Sequence, residues 1–181
     1  MNNFKVIFIL INSPKILLFI FVTILILVIP QLNLPEYVKS TITTKTIYFL
    51  YGNLILILLV TLSVLSKNIS LSITKIDIAL LLLFLYITFN RYFIQSHYGF
   101  SVRYIELLGL CFLYISLRNI SVKNYPWILL AIVVSGTIQA VYGNLQILGY
   151  FEAHHSSFKM TGSFFNPGPY AGFLASVFPL A

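Results

Sequence analysis

Five times along this chain an apolar run of about 20 residues, the length a helix needs to cross a bilayer at 1.5 Å per residue, is closed off by isolated cations. The runs cover 14–32, 46–66, 76–93, 104–120 and 127–149, and a sixth begins near Pro169 and continues to Ala181. Charge is too sparse for any other class. Eleven Lys and Arg and four Asp and Glu make 8% of the 181 residues, where a soluble domain carries about a quarter. With 59% hydrophobic residues, disorder is excluded, because it needs low hydrophobicity and high charge. An ordinary soluble globule is excluded too, since so few polar side chains cannot cover its surface. The expectation is an all-α, polytopic transmembrane bundle with five complete helices and the start of a sixth. Residues 1–126 carry helices one to four with their loops, and 127–181 open a second region truncated in the sixth helix.

The flanks agree with a membrane. Lys15, Lys45, Lys67, Lys75, Arg91, Arg103, Arg118 and Lys123 lie at or just outside the run limits, where long cations snorkel to the interface. Trp127 and several tyrosines lie near the same limits, as interfacial rings do. The net charge of +7 comes from cations scattered singly or in pairs, with no basic cluster of the kind that binds nucleic acid. No Ala precedes Ala79, so a small-residue signal cleavage site is missing and the first helix is expected to remain uncleaved. A cytoplasmic N-terminus puts Lys5, Lys15, Lys67, Lys75, Arg118 and Lys123 inside and Lys39, Lys45, Arg91, Arg103 and Lys159 outside, a bias too small to fix orientation. The lone Cys111 permits no intrachain disulfide. The sixth run reaches Ala181 still apolar, which gives the expectation of a longer parent protein.

Three places carry chemistry. On the fifth helix, Ser135, Gly136, Gln139, Tyr142, Gly143 and Gln146 fall within about 120° of arc. Such a stripe reads either as a helix–helix contact or, through Gln139 and Gln146, as one wall of a polar cavity. Between Asn90 and Glu106 stand Arg91, Gln95, Ser96, His97 and Arg103. Two guanidinium groups there suit a phosphate or diphosphate, against the plainer reading of interfacial anchors with an Arg103–Glu106 pair. Between Phe151 and Gly172, the breakers Gly162, Asn166, Pro167, Gly168 and Pro169 cannot all continue a helix. Irregular backbone at membrane depth survives only where protein buries it or water reaches it. The segment 161–169 is therefore expected as an ordered loop at a cavity mouth, with Pro169 in the first turn of the sixth helix. Lys159 beside that helix start makes an anion site plausible. Glu152, His154 and His155 make a poor metal set, because neighbouring His side chains diverge. No metal or cofactor is expected, and base chemistry by either His is a minor alternative.

The third segment also carries a resemblance. Gln139, Gln146 and Gly149, followed by Thr161–Gly162–Ser163–Phe164–Phe165–Asn166–Pro167 and then Ala171–Gly172, resemble the O-antigen ligase family and its related O-antigen polymerases. The likeness covers about the last quarter of the chain. Gly168 departs from it, since many members have Asn there. The resemblance implies a glycosyltransferase of the bacterial inner membrane with a cytoplasmic N-terminus. It would move a glycan from undecaprenyl diphosphate to a lipid A core or another glycan acceptor at the periplasmic face, without a metal or cofactor. Family arginines engage the diphosphate, which would make Arg91, Arg103 and Lys159 its ligands here. Family members have a late periplasmic loop that this chain lacks, so the chain alone is expected to be inactive. The competing reading is a transporter subunit for an anionic or lipid-linked substrate, drawn from the polar stripe and the broken start of the sixth helix.

Overall fold

The computed structural model describes residues 14–34, 40–65, 73–94 and 101–181. Six α-helices form, and no strand occurs among the described residues: α1 Pro14–Val28, α2 Ser40–Leu65, α3 Lys75–Phe89, α4 Val102–Arg118, α5 Tyr125–Ile147 and α6 Pro167–Val177. Lys5, Lys39, Lys67, Gln95, Ser96 and His97, which entered the sequence reading, lie outside the described residues.

Four helical stretches are long and apolar enough to cross a membrane: Pro14–Gln31, Thr41–Leu65, Lys75–Ile94 and Val122–Ile147. The fourth run of the sequence falls short of that set. Its helix has 17 residues and carries Arg103, Glu106 and Arg118, and it reaches only about 26 Å. The sixth helix begins at Pro167 rather than Pro169. Pro167 takes the N1 position, where its missing N–H costs nothing, and Asn166 caps it by accepting from the Gly168 N–H at 3.0 Å. The second helix starts six residues before its apolar run, through Ser40–Lys45, so Lys45 is part of the helix rather than a flank.

Side-chain contacts fix an alternating up-and-down order. Leu25 of α1 presses on Gly52 of α2, while the end of α1 reaches Lys45 near the start of α2. Helices α2 and α4 run parallel, because Thr46 meets Glu106 and Phe49 meets Gly109, where an added Cβ would stand 2.7 Å from the ring. Helix α6 runs back along α5, with Tyr170 at Gly143 and Val177 at Gly136. Small residues at these crossings let the backbones approach closely. The buried core joins Leu18 and Val22 of α1 to Leu56 of α2, Ile120, and Ile128 of α5. Outward-facing residues are largely apolar, including Leu54, Leu82 and Phe93. A surface of this kind suits lipid.

Helix α3 packs differently, for it buries none of its residues. Polar contacts near its two ends tie it to α4. At its start Asp77 completes a capping box with Thr74, accepts from the Tyr114 hydroxyl at 3.0 Å and pairs with Arg118. Near its other end the Thr88 and Tyr104 hydroxyls are 2.9 Å apart, and Phe84 stacks on Tyr104. The helix then continues as a π-helical turn, Asn90–Ile94.

Candidate functional site

The alternating order collects the end of α1, the start of α2, the end of α3, the start of α4 and the loop before α6 at one end of the bundle. Two features stand there: the Thr161–Pro167 loop and a cleft bearing two arginines.

The loop is bound into the bundle by two glutamines. The Gln146 Oε1 accepts from the backbone N–H groups of Thr161 at 2.9 Å and Gly162 at 2.8 Å. Its Nε2 donates to the carbonyls of Glu152 and Gly162, both at 3.1 Å. Two turns deeper, the Gln139 Oε1 accepts from the Ser163 N–H at 3.0 Å. Its Nε2 donates to Ser163 Oγ at 2.9 Å, to the Pro30 carbonyl at 3.0 Å and to Gln31. Gln139 precedes the last residue of α5 by eight positions, so Ser163 dips roughly 12 Å below the helix end. Thr161 and Ser163 are buried. Such depth is tolerated because each of these polar groups has a partner.

The end of α1 completes the arrangement. Pro30 converts its last turn to a 3₁₀ turn, Ile29–Gln31, and the freed carbonyls need donors. Pro30 accepts from Gln139 and Ser163, and Leu32 accepts from Lys45 at 2.8 Å. Gln31 donates in turn to the Ser135 carbonyl and hydroxyl, at 3.2 and 3.0 Å. Gly162 takes a left-handed φ of 56°, which glycine adopts without steric cost.

The amides of Gln139 and Gln146 are thus buried, and their hydrogen bonds go to the loop and to α1. Ser135, Gly136 and Gly143 of the same stripe are also buried, and Gly136 and Gly143 serve the α5–α6 contact. Tyr142 is half-buried against Phe151. Sequence reasoning missed Pro30, Gln31, Asn33 and Tyr170, and it placed Lys45 only as an interfacial cation. A polar amide directly after a helix-ending Pro was the available signal for Gln31; Tyr170 had none.

Arg91 and Arg103 come together. With Tyr86, Ile87, Asn90, Ser101, Tyr104 and Leu107 they line a cleft of about 310 Å³ between the end of α3 and the start of α4. The π-helical turn carries Arg91, and its guanidinium carbon lies 6.0 Å from the centre of the Tyr104 ring. Tyr92 meets the same ring edge-on. Glu106 does not pair with Arg103 as its spacing suggested; it accepts from Thr46 Oγ1 at 2.7 Å. Lys159 is exposed on the loop and is not part of the cleft lining. Two guanidinium groups beside tyrosine and serine hydroxyls can bind an oxyanion from several sides.

The histidines diverge. His155 Nδ1 accepts from the Ser157 N–H at 3.1 Å, and its ring packs on Phe158 and Phe165. His154 Nε2 lies 3.0 Å from Asn33 Nδ2, and the backbone N–H of His154 donates to Thr161 Oγ1 at 3.1 Å. Among the described residues no group of His, Cys, Asp and Glu converges as a metal set.

Burial, and then the Lys45 ammonium, hold the His154 imidazole below its ordinary pKa range. The unfolded chain therefore takes up that proton first as pH falls below about 6.5. The contribution of His154 to folding is present above that pH and is lost as pH falls through the lowered value. Thermal stability should accordingly decline between pH 7 and pH 5, and His154→Gln should flatten that decline. An unchanged pH profile in the variant would assign the effect to other groups.

Comparison with protein-family models, with curated proteins and with solved structures finds no match to this chain.

Proposed function

We propose that the chain serves in an O-antigen ligase- or polymerase-type glycosyltransferase of the bacterial inner membrane. It would move a glycan from undecaprenyl diphosphate to a lipid or glycan acceptor at the periplasmic face. The observation that carries this reading is the meeting of Arg91 and Arg103 in one cleft, at the same end of the bundle as the Thr161–Pro167 loop. When the bond between sugar and diphosphate breaks, negative charge builds on the departing oxygen. Fixed guanidinium groups aimed at that charge stabilise the transition state more than the ground state. The tyrosine and leucine side of the cleft suits the apolar chain next to the diphosphate.

Charge-assisted hydrogen bonds are worth about 1.5–3 kcal/mol each. In a protein that also carries the late periplasmic loop, Arg91→Ala and Arg103→Ala should therefore each lower glycan transfer from a lipid-linked donor roughly ten- to hundredfold, with membrane insertion intact. Lys159→Ala should change it little, because exposed charges contribute weakly. Normal transfer in both arginine variants would remove the cleft from the reaction. Movement of the lipid-linked glycan across proteoliposomes without transfer would favour the transporter reading instead.

A further inference from the structure

Lys45 is an ionisable residue in the polar opening turns of an otherwise apolar helix, and among the described residues no carboxylate pairs with it. Its ammonium donates to three carbonyls: Ser163 at 2.6 Å, Leu32 at 2.8 Å and Thr41 at 3.3 Å. It also stands 4.9 Å from the centre of the Phe164 ring. Those carbonyls belong to three different elements: the loop, the end of α1, and α2 itself. Charge of this sign is favoured at a helix C-terminus, and over an aromatic face. An ammonium has three donors radiating from one point and matches three converging acceptors. A planar guanidinium does not.

The adjacent residue leads to the cleft. Thr46 donates to Glu106, which lies between Arg103 and Leu107, two of the cleft-lining residues of α4. We propose that Lys45 is a positioning residue, an ammonium staple that fixes the Thr161–Pro167 loop against the ends of α1 and α2 and so sets its place relative to the arginine cleft. The link to transfer rests on the function proposed above; the stapling of the loop does not.

The test uses the whole chain in lipid nanodiscs. Lys45→Met should raise hydrogen exchange at the amides of Thr161, Gly162, Ser163 and Phe164 about tenfold or more, with α3 unchanged. Lys45→Ala should do the same, and n-propylammonium, which replaces the missing part of the side chain, should restore protection to it but not to Lys45→Met. Lys45→Arg should resemble Lys45→Met. Unchanged exchange in Lys45→Met, or a folded Lys45→Ala that propylammonium does not rescue, would overturn the proposal. A measurement on the unaltered protein guards against variants that fail to fold. The Lys45 Nζ hydrogens should exchange with water far more slowly than those of exposed Lys159, and equal rates would overturn the staple. In a transfer assay on a protein that also carries the late periplasmic loop, Lys45→Met should lower kcat about tenfold and leave KM for the donor near its original value, whereas Arg103→Ala should lower kcat and raise KM together. The exchange pattern in this chain, with no transfer by a protein that also carries the late periplasmic loop, would sink the glycosyltransferase reading and leave the staple standing.

Discussion

Gln146→Leu should destabilise the protein by about 3–5 kcal/mol, although Leu nearly matches Gln in size. Gln146 is 4% exposed, and its amide serves four backbone groups: the N–H of Thr161, the N–H of Gly162, and the carbonyls of Glu152 and Gly162. Leu satisfies none of them. Each stranded buried group costs about 1–3 kcal/mol, partly offset where water follows the loosened loop. Unfolding in mixed micelles, followed by helicity, measures the loss. Gln146→Glu should fall between the two, since a carboxylate keeps the two acceptor roles and faces two carbonyls without a donor. A loss below about 1 kcal/mol for the Leu variant would mean that the loop is held elsewhere.

Gly162→Ala should be nearly as damaging for a different reason. An L-residue at a left-handed φ costs about 1–2 kcal/mol. The added methyl would also enter the Tyr170 ring and stand 2.7 Å from Gln139 Oε1. Tyr170 has little freedom to retreat: its ring lies against Gly143, and its hydroxyl donates to the Gln139 carbonyl at 3.2 Å. The two penalties together come to about 3 kcal/mol. Tyr170→Leu should remove the clash with the ring and leave the backbone cost and the close approach to Gln139 Oε1. Gly162→Ala should therefore lose about 1–2 kcal/mol less in that background. Equal losses in both backgrounds would show that the ring does not contact the site.

Apolar length made the helices legible, because bilayer thickness dictates it. Boundaries failed where hydropathy and helix formation part company. Ser40–Lys45 is polar yet helical, its residues engaging the end of α1 and the loop, so Lys45 looked like a flank. The breakers of Thr161–Pro169 announced an end to helix, but Pro167–Pro169 open α6 instead of belonging to the loop. The arc of Gln139 and Gln146, read as a helix contact or a cavity wall, meets the loop and the end of α1. That this face grips that loop is tertiary information. It depends on Pro30, Gln31 and Lys45, more than a hundred residues upstream of Ser163, and no local pattern encodes such a pairing. The arginine cleft was half legible. Arg91 and Arg103 were marked as a possible pair, while the spacing of Arg103 and Glu106 suggested an ion pair that Thr46 pre-empts.

The far-apart partners of the loop also order its biogenesis. Gln31 waits 104 residues for Ser135, Lys45 waits 118 for Ser163, and Pro30 waits 133 for the same serine. Helices α1 and α2 leave the ribosome and meet lipid long before those groups exist. Through that interval an amide, an ammonium and several carbonyls are without their final partners, and only water can meet them without a cost of several kcal/mol per group. These contacts close only after the segment that follows α5 has been made, so the end of α1 and the start of α2 take their final partners last.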